Sequence, residues 1–257
     1  MARIAIVTGA TGGIGAEFVR EISSNAAYAD IDEIWAVGRN RDRLESLRAI
    51  SSKVVAVEAD LASDGVSVLA RRLVESAPDL RLLVYNAGTA YMGPFEKMRA
   101  GQVEGMCTVN CRSLASLTAE ALPYMHEGAG IVNVASAASF QPNPYLSLYS
   151  ASKAFVRQLS RALAVELKDR GIRVTCACPG WVDTGMLPRE KDGVKIRYPG
   201  MISPAQVARK ALADNRKGMD MSVPSFFAQF CRLYSKWMPT KLVMTQWSRM
   251  IAKYVDS

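Results

Sequence analysis

The chain has 257 residues, 49% hydrophobic and 22% charged, as in an ordinary globular protein with room for one large α/β domain or two small ones. It contains no run of about 18 apolar residues, which excludes a membrane-spanning helix, and its start, "MARIAIVTGATGG", lacks a signal-peptide pattern, so a cytoplasmic protein is expected. The net charge of +8 is spread along the chain without a long basic tract, so no nucleic-acid partner is expected. An anionic small molecule or general solubility accounts for the charge equally well.

Six short β-rich runs follow one another: "RIAIVT" (3–8), "EIWAV" (33–37), "KVVAVEA" (53–59), "RLLVYN" (81–86), "GIVNVAS" (130–136) and "IRVTCAC" (172–178). Each is too apolar for a strand with one wet face, as befits a parallel sheet covered on both sides. Helical patterns lie between them at 13–25, 41–50, 63–77, 101–127 and 145–170, and a further helix at 203–217 precedes a short strand at "MDMSV" (219–223). Ser63 and Ser203-Pro204 read as helix starts, Gly128 and Gly171 as helix stops. The alternation predicts a Rossmann-like, doubly wound parallel sheet of about seven strands with helices on both faces. With no repeat and no flexible linker, residues 1–257 are expected to form one domain. The tail 225–257 reads as an amphipathic extension of two helices broken near Pro239. The five cysteines contain no Cys-x-x-Cys pair, and the one histidine, His126, sits beside an apparent helix end. The expectation is therefore reduced, buried thiols and no metal site.

Two motifs carry chemistry. The first, "IVTGATGGIGAEFVREI", follows the first strand and opens the first helix, with Gly9, Gly13 and Gly15 spaced Thr-Gly-x-x-x-Gly-x-Gly. Glycines let backbone approach a ligand, and a helix N-terminus aims unpaired N–H groups at an anion, so the turn is built for a phosphate group. The second is "LYSASKAF", with Tyr149 and Lys153 one helical turn apart on one face. A phenol has an ordinary pKa of about 10. A fixed ammonium beside it favours the phenolate, which would bring the pair into range for proton transfer near pH 7.

The glycine spacing resembles that of the short-chain dehydrogenase/reductase family, and further marks of that family follow in order from residue 3 to about 190. Asn86-Ala87-Gly88 stands after the fourth strand, Asp60-Leu61 after the third, and Asn110 within the long fifth helix. Ser136 ends the fifth strand, 13 positions before Tyr149, and Pro179-Gly180 with Val182 and Thr184 follows the sixth. The resemblance implies a nicotinamide cofactor held by Gly9, Thr11, Gly13, Ile14, Gly15, Asp60, Leu61, Asn86, Ala87, Gly88, Tyr149, Lys153, Pro179, Gly180, Val182 and Thr184. It implies Tyr149 as proton donor or acceptor, Lys153 lowering its pKa, Ser136 bonding the substrate oxygen, and Asn110 holding a water behind Lys153. A homodimer or homotetramer is also implied.

NAD-specific members carry an acid at the end of the second strand, where this chain has Gly38 followed by Arg39. A guanidinium grips a 2′-phosphate and a carboxylate repels it, so the cofactor is expected to be NADP (NADPH), chosen by Arg39 with help from Asn40 and Thr11. Arg41 and Arg43 read as solvated positions on the next helix. The positions that line the family's substrate pocket are here Tyr91, Met92, Phe140, Gln141, Tyr145, Trp181 and Met186, mostly large and apolar. They suggest a hydrophobic alcohol or ketone, as in a hydroxysteroid dehydrogenase or a 3-oxoacyl reductase. The stretch 185–202 is expected to be a mobile lid, whose Arg189, Lys191, Lys195 and Arg197 would meet an acidic tail or simply be solvated. Packing on the body, a subunit contact, a cap on the pocket and a weak membrane-surface contact all remain open for 225–257. A redox sensor or scaffold that holds NADP without turnover is the alternative reading.

Overall fold

The computed structural model describes residues 1–251 except Met186, Pro188, Arg189, Asp192, Gly193 and Arg197. The strands are β1 (Arg3–Thr8), β2 (Glu33–Gly38), β3 (Val54–Glu58), β4 (Asp79–Tyr85), β5 (Gly130–Val134), β6 (Arg173–Ala177), the pair β7 (Glu190–Lys191) and β8 (Val194–Lys195), and β9 (Met221–Ser222). The helices are α1 (Gly13–Ser24), α2 (Arg41–Ser46), α3 (Gly65–Ser76), α4 (Ala100–Cys107), α5 (Ser113–Ala121), α6 (Ser147–Glu166), α7 (Pro204–Arg216), α8 (Phe226–Trp237) and α9 (Thr240–Ile251). Seven strands form one parallel sheet in the order β3-β2-β1-β4-β5-β6-β9. The expected doubly wound sheet is therefore present, and the short antiparallel pair β7–β8 is an addition the sequence pattern did not announce.

Alternation along the strands sorts the core into two layers. Ile4 and Ile6 face a cluster that includes Leu69 and Leu73 of α3, Leu114 and Leu117 of α5 and Val156 of α6. Ala5 and Val7 face the opposite cluster, with Phe18 and Ile22 of α1, Leu44 of α2 and Ala211 and Leu212 of α7. Apolar residues therefore occupy both faces of each central strand, which is why the strands read as continuous apolar runs. The strand order reverses between β1 and β4, and at such a reversal an open α/β sheet holds its ligand in a crevice at the carboxyl ends of the strands.

Three local readings need correction. The helix expected at 63–77 starts at Gly65, because the Ser63 amide and hydroxyl both turn back to the Asp60 carbonyl, at 3.0 and 3.3 Å. The helix expected at 101–127 is divided. A π-helical turn at Thr108–Arg112 separates α4 from α5, and α5 yields at Ala121 to a single 3₁₀ turn containing Pro123. Cys107 is exposed rather than buried, whereas the sulfurs of Cys176 and Cys178 lie 3.6 Å apart inside β6 and its continuation. The Ser203-Pro204 start is as expected: the Ser203 and Gln206 side chains cap each other's backbone at the head of α7.

Candidate active site

The glycine turn sits at the end of β1, and its backbone leaves no room for side chains. Gly9 has φ +62°, and a Cβ there would lie 3.0 Å from the Ala87 backbone. A Cβ on Gly15 would lie 2.1 Å from the Gly9 carbonyl oxygen, so only glycine lets α1 start this close to β1. Gly12 caps α1 without a side-chain hydrogen bond, and no carboxylate lies in its first turn. The first amides of α1 are therefore offered to an anion from a bare backbone, which fits the phosphates of a dinucleotide. Ile14 packs against the core layer beneath.

Neighbouring segments lock the turn. Thr8 Oγ1 accepts from the amides of Asn86 and Ala87 at 3.0 and 3.1 Å. Asn86 Nδ2 donates to the carbonyls of Thr8 and Gly9 at 3.2 and 3.1 Å. Asn86 and Ala87 thus bolt the end of β4 to the end of β1. The segment after β6 closes the other side: Thr184 Cγ2 is 3.2 Å from where a Gly13 Cβ would stand, and Val182 pairs with Ile202. Gly180 packs under Ser225, and the Pro179 carbonyl accepts from the Ala137 amide at 2.7 Å.

At the β2 end, Arg39 and Asn40 are exposed. The Asn40 side chain accepts from the Arg43 amide at 2.9 Å and so caps α2. Arg43 is not merely solvated: its guanidinium donates to the Thr11 carbonyl at 3.2 Å, across 32 residues of sequence, and the Thr11 hydroxyl lies against Gly38. Asp60 accepts from the Ala62 amide at 2.9 Å, and the Leu61 carbonyl accepts from Ser113 at 2.6 Å, so both shape the loop after β3.

The second motif lies on the first turns of α6. Lys153 is buried, and its ammonium donates to the Val134 carbonyl at the end of β5 at 2.8 Å. Its nitrogen stands 5.8 Å from the centre of the Tyr149 ring. Two residues past Val134, Ser136 hydrogen-bonds the half-buried Tyr149 phenol and also accepts from the Ala138 amide. The strand end thus positions both partners of the tyrosine. Asn110, buried in the π-helical turn, exchanges two 2.9 Å bonds with the backbone of Thr89 and donates to Ser152 at 3.0 Å. A Cβ on Gly88 would meet Lys153 Nζ at 3.2 Å and Asn110 Oδ1 at 3.3 Å, so Gly88 is what lets these groups converge.

Burial lowers the Lys153 pKa to about 8. The tyrosine goes the other way from expectation: burial pushes the Tyr149 pKa up, and the Ser136 hydrogen bond only partly draws it back. The lysine's charge is turned toward Val134 and does not overturn the desolvation of the phenol.

The residues expected around substrate do not all converge. Phe140 packs on the core and under the Arg157 guanidinium, 5.5 Å from its ring. Gln141 and Met92 are half-buried. Tyr91 folds over Gly93, whose amide donates to the Tyr145 carbonyl at 2.8 Å. Tyr145 holds φ at +66°, a strained value for a residue with a Cβ, four residues before Tyr149. Trp181 lies 4.9 Å from Tyr198 and stacks 6.3 Å from Trp247 of α9, whose indole nitrogen donates to the Pro144 carbonyl at 2.8 Å. The tail therefore packs on the body and roofs the loop before Tyr149. Met186, with Arg189 and Arg197 of the expected lid, lies outside the described residues. Sequence reasoning missed Arg43, Ser152 and Trp247. Only Trp247 left a trace, as one aromatic of the aromatic-rich tail 225–257.

The short chain dehydrogenase family model matches residues 3–195. The chain belongs to the short-chain dehydrogenase family. It is 31% identical to a very-long-chain 3-oxoacyl-CoA reductase of Danio rerio, over 83% of this chain and 70% of that protein. It is 32% identical to a 2-(R)-hydroxypropyl-CoM dehydrogenase of Xanthobacter autotrophicus, over 77% of this chain and 84% of that one. A solved short-chain dehydrogenase of Sphingobium yanoikuyae, in complex with NADPH, shares its fold with a TM-score of 0.76 at 27% identity, over 92% of this chain and 93% of the other. This short-chain dehydrogenase is thus an oxidoreductase by family.

Proposed function

We propose that the chain is an NADPH-dependent reductase, working reversibly between a hydrophobic ketone and its secondary alcohol, with Tyr149 as the general acid. The convergence of Ser136, Tyr149 and Lys153 at the end of β5, beside the bare glycine turn, carries this reading. The bound nicotinamide supplies the hydride. Gly9, Gly13 and Gly15 hold its phosphates against α1, while Asn86, Ala87 and Gly88 keep that turn in place. Arg39, with Arg43 anchored on the Thr11 carbonyl, meets the negative charge that distinguishes NADPH from NADH. No carboxylate stands at Gly38 to repel it.

The raised pKa of Tyr149 keeps the phenol protonated at pH 7, the form that delivers a proton to a carbonyl oxygen. Ser136 bonds the same oxygen and steadies charge as it develops. Lys153, with its pKa near 8, remains largely cationic at neutral pH and favours the tyrosinate left behind. Asn110 fixes the Thr89 turn and Ser152, and so the wall behind Lys153. Tyr145, Trp181 and Trp247 offer an apolar, aromatic rim for the substrate. The relatives named as a 3-oxoacyl-CoA reductase and a 2-(R)-hydroxypropyl-CoM dehydrogenase support interconversion of a carbonyl and an alcohol.

The test is oxidation of NADPH, and separately of NADH, against keto-steroids, 3-oxoacyl thioesters and aromatic ketones. Turnover with NADPH on a bulky class is expected. Equal turnover with NADH would overturn the role of the two arginines. Tight cofactor binding without turnover on any ketone would favour the sensor reading.

A further inference from the structure

The helix α8 carries an apolar stripe that is exposed among the described residues. Phe226, Phe230, Leu233 and Trp237 are 90%, 54%, 56% and 74% exposed. At about 100° per residue they fall within an arc of about 60°, along some 16 Å of helix. The opposite side of the helix is seated, with Ala228 fully buried and Ser225 capping the first turn. Met238 and Leu242 extend the exposed apolar surface across the break into α9. The two helices are tied by the hydrogen bond from the Tyr234 hydroxyl to Gln246, so they present one continuous face.

Charge identifies what the face fits. Lys236 and Arg232 lie to one side of the stripe on α8, and Lys241 and Arg249 stand on α9, all exposed. From Met221 to Ile251 the sequence contains no Asp or Glu. Lys236 already lies 5.6 Å from the Trp237 ring, with its stem along the apolar edge and its charge outward. A second copy of this chain meeting the first through this face about a two-fold axis would set these cations against their own equivalents, with no carboxylate on either helix to pair them. An anionic lipid surface offers the complement on both counts, acyl chains for the stripe and headgroups for the rim.

We propose that α8 and α9 form a membrane-docking face that lies in the interface of an anionic bilayer. The same α9 places Trp247 on the Pro144 carbonyl, so docking would set the substrate mouth at the lipid surface, where apolar ketones partition. Docking does not depend on the reaction assigned to Tyr149.

The experiment is flotation of the purified full chain with vesicles of phosphatidylcholine alone or mixed with phosphatidylserine. Binding to the anionic vesicles is expected, weakening as salt is raised. Leu233→Glu with Trp237→Glu should abolish it. Arg232→Glu with Lys236→Glu should weaken it more than about tenfold. Both variants should keep the wild-type melting temperature and NADPH affinity. Failure of the wild type to float with anionic vesicles would overturn the proposal, as would equal flotation of both variants. A wild-type dimer that becomes monomeric in Leu233→Glu with Trp237→Glu, by light scattering, would overturn it in favour of a second copy.

Discussion

The cofactor side and the substrate side of this crevice are built by opposite means. On the cofactor side, position is set by backbone: a Cβ at Gly15 would strike the Gly9 carbonyl, and Thr8 and Gly9 are laced to Asn86 and Ala87 by four hydrogen bonds. On the substrate side, position is set by aromatic rings from distant segments, Trp181 against Tyr198 and Trp247. Backbone geometry tolerates no substitution, whereas ring packing can be exchanged at modest cost. A fold organised this way keeps one cofactor site and lets substrate choice change around it.

Breaking the first side should cost most. Gly15→Ala is expected to remove measurable NADPH binding and to destabilise the fold by more than about 3 kcal/mol, read by titration calorimetry and urea unfolding. Retained binding would show that the turn relaxes. Lys153 tests the buried charge between the two sides. The unfolded chain keeps this lysine protonated to about pH 10.5, and the folded chain only to about pH 8. The unfolded state therefore binds more protons in that window, and stability rises with pH across it. The wild type should gain up to about 3 kcal/mol between those values relative to Lys153→Met. A parallel pair of stability curves would remove the account of Lys153.

Arg39→Ala is expected to weaken NADPH binding about tenfold or more, and Arg43→Ala less, with NADH affinity within about twofold of wild type. The smallest effect should come from the second side. Trp247→Ala should raise KM for a bulky ketone about two- to tenfold while leaving NADPH affinity unchanged, the loss of one aromatic pair. An equal change in NADPH affinity would mean that α9 supports the cofactor as well.

The same division decided what could be read from the sequence. Gly9, Gly15, Asn86, Ser136, Tyr149 and Lys153 act through local backbone context and short spacing, so their places were legible, as was the order of strands and helices. Arg43 on Thr11 and Trp247 on Pro144 join residues 32 and 103 apart, and no spacing rule encodes such contacts. Asn40 caps α2 through its side-chain oxygen, a role that an asparagine before a helix signals as readily as a ligand contact. The π-helical turn at Asn110 escaped notice because it follows from burial of one amide against Thr89 and Ser152, not from helix propensity. The direction of the Tyr149 shift is set by burial of the phenol, which the four-residue spacing alone does not encode.

The most direct measurement is Tyr149→Phe, with NADPH affinity and ketone turnover recorded on the same preparation. The account predicts an unchanged NADPH dissociation constant and a kcat lower by about a thousandfold, since only the proton donor is removed. A kcat within tenfold of wild type would contradict it.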